Sequence, residues 1–299
     1  MKKELFLAGV LILVLFSGCA KPETECSNDA LKVVEYNIYP EEVRPEGTAT
    51  ITFWIVNRGG TKAEDVRVKF FDTQGFEPLE VSCGEGSGKD SCAIESIQSF
   101  GECKGEKKKV TARLKAPDTP GLRTVSFSLD YKYSGLSKFL FTIWDNEELE
   151  NDWGETQKVM TDGPIKVDID PGFLFKRKLD MEGKTIVEWV EEGHEFPLRV
   201  SIRDETDPRS ILSEANIEYF KVLFDHVFPD PDSENCGLKL EAYSKYYISS
   251  VEPAMDTSIE CDMKVDEIDQ NFVTGDIEVE YKYRYKTVEQ QDLYVRNVR

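Results

Sequence analysis

The stretch Ile277-Glu-Val-Glu-Tyr-Lys-Tyr-Arg-Tyr285 alternates apolar and charged side chains over its whole length. Successive side chains of a β-strand point to opposite faces, so this period of two predicts a strand with one buried face and one solvated face. A second stretch, Val125-Ser-Phe-Ser-Leu-Asp-Tyr-Lys-Tyr133, has a similar alternation and the same Tyr-Lys-Tyr element. Each is followed by a short loop and a further strand signal. We interpret the two stretches as corresponding parts of a tandem repeat.

The same alternation recurs outward from these two stretches. Seven short strands before residue 145 are typical of an immunoglobulin-like β-sandwich, and a second β-rich run begins near residue 163. The sequence therefore predicts an all-β chain with tandem immunoglobulin-like β-sandwiches. The predicted strands of the first run are Leu31–Ile38, Thr48–Val56, Val66–Phe71, Leu79–Ser82, Val110–Leu114, Val125–Tyr133 and Phe139–Ile143. Those of the second run are Ile165–Ile169, Phe196–Ile202, Ile217–Phe224, Leu238–Ala242, Tyr246–Ser249, Ile259–Met263, Ile277–Tyr285 and Leu293–Val295.

An acidic stretch at residues 145–162 separates the two runs. Its carboxylates are accompanied by one basic residue, Lys158, and few apolar side chains are available to dock it. We interpret it as a linker that acts as a partial hinge. The predicted division of the chain is a signal peptide at 1–18, a tether at 19–29, a first sandwich at 30–144, the acidic linker at 145–162 and a second sandwich at 163–299.

The first 19 residues have the order of an export signal. Two lysines precede the apolar stretch Leu5–Phe16, which is followed by Ser17, Gly18 and Cys19. The apolar stretch is shorter than the roughly 20 residues that a spanning helix needs. This order is similar to a lipoprotein signal, which predicts cleavage before Cys19, lipid on its sulfur, and an exported protein anchored to the membrane at the cell surface. An ordinary secretory signal and an uncleaved anchor are the alternatives.

The composition limits the classes of partner. The formal net charge is -20, with 57 acidic and 37 basic residues. Such a chain repels phosphate backbones, so the sequence predicts no nucleic-acid partner. Hydrophobic residues make up 40% of the chain and aromatic residues 11%, which is sufficient for packed cores.

The cysteines predict disulfides. If Cys19 carries lipid, six cysteines remain, and an even number fits an oxidising compartment. Cys236 and Cys261 are the only cysteines after residue 103, so a bridge within the second sandwich joins these two. In the first sandwich Cys26, Cys83, Cys92 and Cys103 allow three pairings, of which we favour Cys83 with Cys92 and Cys26 with Cys103. Unpaired buried thiols are the alternative.

A family resemblance lies in residues 31–76. Thr48–Gly60, which ends in an Asn-Arg-Gly-Gly turn, and the following strand Ala63–Phe70 resemble the adhesion-related CARDB-like sandwich domains of archaeal and bacterial surface proteins. The resemblance covers about a third of the chain and carries no catalytic residue. It implies a binding or spacer module of the kind found in surface lipoproteins.

No catalytic set stands out in the sequence. The chain has two histidines, His194 in an acidic turn and His226 near the predicted strand Ile217–Phe224, and each is better explained as a surface or capping residue. The run from Cys83 to Asp90 superficially resembles a phosphate loop. It lacks the first glycine and the final Ser or Thr of that motif. We predict neither an enzyme nor a cofactor.

Three weaker candidates for binding remain. The first is a calcium site at Asp225, Asp230, Asp232 and Glu234, where carboxylate oxygens suit Ca²⁺ but the spacing is not that of an EF-hand, and a solvated loop is the alternative. The second is the basic run Lys104, Lys107, Lys108 and Lys109, which could contact an anionic glycan or lipid headgroups or could protect a strand edge.

The third weak candidate is an aromatic surface that stacks on a sugar. Trp153 in the linker is the best candidate for this role, because Trp54, Trp144 and Trp189 are better explained by packing. Together these features predict a non-enzymatic, lipid-anchored spacer or binding protein of a prokaryotic, archaeal or bacterial, envelope. The alternatives are a glycan- or protein-binding component of an extracellular complex or filament and, third, an extracytoplasmic enzyme.

Overall fold

The computed structural model describes residues 29–84, 86–144, 156–172, 176–179, 185–205, 213–229, 236, 238–240, 246–249 and 258–297. In these ranges the chain forms strands and no helix, which confirms the predicted all-β class. The strands are β1 Leu31–Tyr39, β2 Glu42–Val43, β3 Thr48–Asn57, β4 Ala63–Phe70, β5 Glu77–Ser82, β6 Ser87–Gly88, β7 Ser91–Ile97, β8 Lys107–Lys115, β9 Gly121–Trp144, β10 Gln157–Met160, β11 Ile165–Pro171, β12 Lys176–Leu179, β13 Thr185–Glu191, β14 Glu195–Asp204, β15 Ser213–Asp225, β16 Val227–Pro229, β17 Leu238–Leu240, β18 Tyr246–Ser249, β19 Ser258–Val265 and β20 Phe272–Val295.

The strands form three sheets. The long sheet follows the order β12-β13-β9-β20-β15-β18-β17, and β10, β4 with β7, and β2 join it at the sides. A first covering sheet has the order β1-β3-β8-β5-β6, and a second covering sheet has the order β11-β14-β19-β16. Both covering sheets pack on the same face of the long sheet, which we call its inner face.

The centre of the long sheet is one antiparallel pair. β9 and β20 have 24 residues each and pair without a register shift from Gly121 opposite Val295 to Trp144 opposite Phe272. At about 3.4 Å per residue this pair is roughly 80 Å long. The two stretches that suggested a repeat are therefore partners in one sheet, with Tyr133 opposite Tyr283. They resemble each other because both bury large aromatic side chains on the inner face.

The first sandwich is formed by the first covering sheet and one half of the long sheet. Phe53 on β3 stacks on Phe127 on β9 with ring centroids 4.6 Å apart. The orders β1-β3-β8-β5 and β4-β9-β20 correspond to the two sheets of a constant-type immunoglobulin domain. Its closing strand is the end of β20, Thr287–Val295, which pairs with Gly121–Leu129. The prediction that Phe139–Ile143 closes this sandwich is wrong.

The second covering sheet packs on the other half of the long sheet. The Ser137 hydroxyl on β9 donates a hydrogen bond to the carbonyl of Val167 on β11 at 2.6 Å. The end of β9, which contains Phe139–Ile143, pairs with β10 and β13 in this second sandwich. Each sandwich is thus completed by a strand from the other half of the chain, because one strand pair runs through both.

The shared strand pair changes the interpretation of the acidic stretch at residues 145–162. Residues 145–155 lie outside the described residues, but Gln157–Met160, predicted as linker, is strand β10 and pairs with β9. A hinge at 145–162 is incompatible with a strand pair that continues from one sandwich into the other. The domain boundaries 30–144 and 163–299 remain a prediction from the sequence. In the structure the long sheet joins the two sandwiches.

Five buried tyrosines fill the junction between the sandwiches. All lie on the inner face of β9 and β20 and are at most 2% exposed: Tyr131, Tyr133, Tyr281, Tyr283 and Tyr285. The Tyr133 hydroxyl accepts a hydrogen bond from the Thr61 N–H at 2.8 Å and donates one to the Asp162 carbonyl at 3.0 Å. Tyr281 donates to the Ile165 carbonyl at 3.2 Å, and burial raises the pKa of Tyr281 to about 12. These bonds attach loops of both sandwiches to the shared strands.

Gly135 makes room for one of these rings. It lies opposite Tyr281 in the pair, and a Cβ atom built on Gly135 would be 2.1 Å from the Tyr281 Cζ atom. A side chain at position 135 would therefore displace the ring from the junction. Glycine is used here for close approach, at a position where alternation alone would suggest a larger residue.

Two disulfides lie one in each sandwich. Cys83 is bonded to Cys92, with Cα atoms 5.8 Å apart, and Cys236 is bonded to Cys261, with Cα atoms 4.1 Å apart. Cys103 is also disulfide-bonded. Cys26, which we expected as its partner, and Cys19 lie outside the described residues.

We predict that Gly135→Ala lowers the free energy of unfolding by roughly 1–3 kcal/mol, because the added methyl overpacks the junction. Urea unfolding followed by fluorescence measures the change. Ser134→Ala, at the exposed neighbouring position, should change stability by less than about 0.5 kcal/mol. If the clash with the ring is the cause, Gly135→Ala combined with Tyr281→Leu should lose less stability than the sum of the two single changes. Additive losses would contradict this cause.

Candidate ligand-binding face

The face of the long sheet opposite the covering sheets, here called the outer face, carries the charged side chains of β9 and β20. The alternation that places tyrosines on the inner face puts the intervening residues here: Asp130, Lys132, Lys138, Asp276, Glu278, Glu280, Lys282, Arg284 and Lys286. They are partly buried against one another. Asp130 lies opposite Lys286 and Lys138 opposite Glu278, and Arg284, which lies opposite Lys132, forms ion pairs with other carboxylates. Most of these charges are therefore compensated locally.

Arg284 is the centre of this charged layer. Its guanidinium donates hydrogen bonds to Asp130 at 2.6 Å and to Asp65 at 2.8 Å, and its Nε atom lies 3.6 Å from Glu218. These three carboxylates come from β9, β4 and β15. One arginine therefore connects strands of both sandwiches, and the planar guanidinium suits such multiple contacts better than an ammonium group does.

Irregularities in the sheet position two of the carboxylates. β4 shifts register between Glu64 and Arg67, and Asp65 there has a φ of 51°. β15 shifts register at Glu218. A bulge inserts one residue and redirects side chains, which brings Asp65 and Glu218 towards Arg284. The hydrogen bond from Arg284 holds the pKa of Asp65 below its usual value.

A groove of about 770 Å³ lies on the outer face beside this charged layer. Two cross-strand rows form its floor. In one row Arg67 on β4 and Lys286 on β20 flank Asp130 on β9. In the next row Lys69 on β4 lies between Ser91 on β7 and Ser128 on β9. The register of the sheet thus collects three cations and two hydroxyl-bearing side chains on one surface.

The wall of the groove is the glycine-rich segment after Cys83. Gly86, Ser87 and Gly88 line it. The Cys83 N–H donates to the Gly86 carbonyl at 2.9 Å, and a Cβ on Gly86 would lie 3.0 Å from the Ala93 carbonyl oxygen of β7. The segment therefore lies against the edge of β7, and the bond between Cys83 and Cys92 ties its base to that strand.

No local sequence pattern indicates this groove. Arg67, Lys69 and Lys286 look like ordinary solvent-facing positions of alternating strands, and β4 and β20 are far apart in the chain. The glycine-rich run was noticed only as a failed phosphate loop. Knowledge of which strands are neighbours was required to bring these residues together.

The basic run at 104–109 is neutralised by local partners. Three of its lysines form ion pairs, and the ammonium of Lys109 lies 5.9 Å from the centre of the Trp54 ring. The ion pairs are Lys104–Glu102, Lys107–Glu35 and Lys108–Glu106. The segment borders a second cleft of about 360 Å³. The ion pairs favour the interpretation of a solvated strand over that of a docking patch.

The other predicted candidates do not converge. Asp225 is exposed at the end of β15, and His226, with a φ of 59°, lies 4.0 Å from it. Asp230, Asp232, Glu234 and Trp153 lie outside the described residues. His194 is in the turn before β14. Within the described ranges no three His, Cys, Asp or Glu side chains are arranged to hold a metal ion.

The remaining tryptophans pack against other residues. Trp144 and Trp189 form a buried pair, and Trp144 stacks on the half-exposed Phe272 with centroids 5.2 Å apart. Among the carboxyls of the described residues, Glu289 has a raised pKa, owing to burial and to nearby Asp29. Glu289 lies on the inner face near Tyr36 and not in any of the clefts described here. The Glu289 carboxyl is therefore not positioned to act as a general acid or base in any of these clefts.

Comparison with known proteins transfers no function. No protein-family model and no curated protein matches the chain. Several solved structures align over most of its length, among them the following two. The Enterococcus faecalis MSCRAMM ACE, which binds its ligands by the collagen Hug model, is 12% identical, with 91% of this chain and 97% of that chain covered and a TM-score of 0.19. The collagen-binding domain of the Erysipelothrix rhusiopathiae surface protein RspB is 9% identical, with 91% and 92% covered and a TM-score of 0.15. TM-scores this low support no conclusion about fold or function.

We predict that Arg284→Gln destabilises the protein by about 1–2 kcal/mol at pH 7, since Asp65 and Asp130 lose their shared partner in a partly exposed site. The pKa of Asp65 is lowered by folding, so its contribution is present above its unfolded pKa and is lost as the pH falls through the folded pKa. The difference between variant and wild type should therefore shrink at pH 3.

Urea unfolding at both pH values measures this difference. Arg113→Gln is the matched control, because Arg113 pairs with exposed Glu80 at 3.6 Å, and it should cost less than about 0.5 kcal/mol. An Arg284→Gln effect that is no larger than the control, or that is the same at pH 3 and pH 7, would contradict the role of Arg284.

Proposed function

We propose that this chain is an exported, lipid-anchored, non-enzymatic surface protein of a prokaryotic envelope, and that its long sheet is a platform for binding an extracellular partner. The observation that carries the proposal is the shared β9–β20 pair, which fixes one charged face across both sandwiches. A face built on continuous strands holds its residues in constant relative positions. A flexible pair of separate domains would not do so.

The place where the chain enters the structure supports this orientation. The Asp29 carbonyl accepts a hydrogen bond from Tyr131, and the Ala30 carbonyl accepts one from the Arg58 N–H at 2.6 Å. Both contacts lie at the junction of the sandwiches, on the inner side of the long sheet. The proposed lipid on Cys19 is ten residues before Asp29, and ten residues span at most about 35 Å.

This short tether favours binding over the role of a spacer. The tether is attached near the middle of a strand pair roughly 80 Å long, so the molecule cannot use its full length to hold a partner away from the membrane. The inner side faces the anchor, and the outer face is directed to the exterior. Among the described residues no helix is long and apolar enough to cross a membrane.

The non-enzymatic assignment rests on the character of the clefts. The cleft beside Cys261 has a volume of about 550 Å³ and contains Asp170, Arg199 and Glu260. Arg199 pairs with Glu260 at 3.5 Å on an exposed surface, which is an ordinary surface ion pair. A catalytic cleft would combine a nucleophile or a pair of acid and base residues with exclusion of water.

The filament alternative is less well supported. The outer edge of β1, nine residues long, has no strand partner among the described residues. β1 shifts register between Val34 and Asn37, and exposed Lys32 and Glu35 flank the shift. A bulge and charged side chains are common means of preventing pairing with another chain.

The anchor is tested on protein purified from native membranes. We expect a mature chain that begins at Cys19 and carries lipid mass, and we expect Cys19→Ala to lack that mass, whereas Lys21→Ala keeps it. Intact mass spectrometry decides this point. A mature N-terminus at another residue, or a Cys19 without lipid, would contradict the proposed anchoring.

The orientation is tested by labelling lysines with a bulky amine-reactive polymer on vesicles and in detergent. Exposed Lys32 is next to the tether, and exposed Lys69 is on the outer face. Vesicle attachment should lower the labelling of Lys32 and leave that of Lys69 unchanged. Equal or stronger protection of Lys69 would contradict an outward-facing sheet.

A further inference from the structure

We propose that the groove on the outer face binds an anionic polysaccharide, with Arg67, Lys69 and Lys286 contacting its carboxylate or sulfate groups. The proposal rests on the proposed binding function and names the site and the ligand class. The protein as a whole carries a net charge of -20, whereas the described lining of this groove holds three cations and one carboxylate. Arg67, Lys69 and Lys286 occur together because β9 pairs with both β4 and β20, which are distant in sequence.

The charge of the groove favours an anion. Arg67 lies 3.3 Å from Asp65 in an exposed pair, and Lys69 forms no ion pair with the described residues. Asp130 is the one carboxylate among the described lining residues, and Arg284 already holds it at 2.6 Å. Lys69 therefore adds positive charge to the groove that a ligand can compensate. Lysine and arginine bind carboxylate and sulfate oxygens through charge-assisted hydrogen bonds.

The spacing of the cations favours an extended ligand. Arg67 and Lys69 are two residues apart on β4, which is about 7 Å, and Arg67 and Lys286 are two strands apart, which is about 10 Å. A single compact phosphate would require all three flexible side chains to converge on one point, whereas a longer anion can contact each of them separately. A chain with charges on successive sugars can do so. Nucleic acid is disfavoured, since its dense charge would meet the acidic remainder of the surface.

The other groups in the groove suit a carbohydrate. Ser87 and Ser91 line the groove, and their hydroxyls can form hydrogen bonds with the hydroxyls of a sugar. Phe71 continues the β4 outer face beyond Lys69 and is 51% exposed, so its ring offers a flat apolar surface next to the groove. Polar groups around such a surface fix the orientation of a ligand.

An acidic peptide fits this site less well. Peptides commonly bind a sheet by adding a strand to an exposed edge. The edge nearest the groove belongs to β7, and the segment at Gly86 lies against that edge. A Cβ atom built on Gly86 would be 3.0 Å from the Ala93 carbonyl oxygen. The disulfide between Cys83 and Cys92 holds the base of that segment to β7. The open part of the groove is its floor of side chains.

The test uses the intact chain solubilised in detergent, so that its result does not depend on how the protein is anchored. Binding of polygalacturonate, heparin, dextran and poly-L-glutamate is measured by calorimetry at low and high salt. We expect polygalacturonate or heparin to bind, binding to weaken with salt, and neutral dextran not to bind.

The decisive variant is Arg67→Gln with Lys69→Gln, which should weaken that binding by about tenfold or more. The matched control is Lys107→Gln with Lys108→Gln, which removes the same charge outside the groove and should change affinity by less than about twofold. Thermal unfolding of both variants verifies that they are folded. Failure of both anionic polysaccharides to bind, an equal loss in the control, or equal binding of dextran would overturn the proposal. Equal or tighter binding of poly-L-glutamate would overturn it in favour of an acidic polypeptide.

Discussion

The register of β9 and β20 is the constraint on which the rest of the structure depends. Twenty-four residues of each strand pair in a single antiparallel register, and every side chain of either strand is thereby assigned to the inner or the outer face. A shift of one residue would expose the tyrosines and bury the charged residues. The two covering sheets use the inner face, so both sandwiches require the same register. Binding of both sheets to one strand pair makes the two sandwiches a single unit.

The inner and outer faces of the β9–β20 pair have different roles. On the inner face, tyrosine rings fill the junction where the sheets meet. The Tyr133 hydroxyl accepts a hydrogen bond from the Thr61 N–H of the first sandwich and donates one to the Asp162 carbonyl of the second, and Tyr281 donates one to the carbonyl of Ile165 on β11. On the outer face, Arg284 connects carboxylates from three strands and leaves a groove beside them in which Lys69 has no ion-pair partner among the described residues. The proposed binding face is therefore supported directly by the residues that join the sandwiches.

Local alternation in the sequence was sufficient to predict the all-β class and most of the strands, but it missed Ser91–Ile97 and Thr185–Glu191 and could not predict the pairing. Ile277–Tyr285 and Val125–Tyr133 were identified correctly as strands, and their likeness was attributed to a repeat. It arises because they face each other across one sheet, a contact between residues about 150 positions apart that no local pattern encodes. Gly135 and the bulge at Asp65 were missed for the same reason. Their conformations are set by Tyr281 and Arg284, which belong to the distant strand.

The most direct test of the shared strand pair is to cut the chain between the sandwiches. A protease recognition sequence inserted between Glu150 and Asn151, outside the described residues, allows cleavage of the folded protein into halves that carry β9 and β20 respectively. Size-exclusion chromatography under reducing, native conditions then measures whether the halves stay together. If β9 and β20 pair as described, the halves elute as one species of the uncut size and separate only in denaturant. Elution of two folded species of half the mass under native conditions would show that the sandwiches are independent and would contradict the shared sheet.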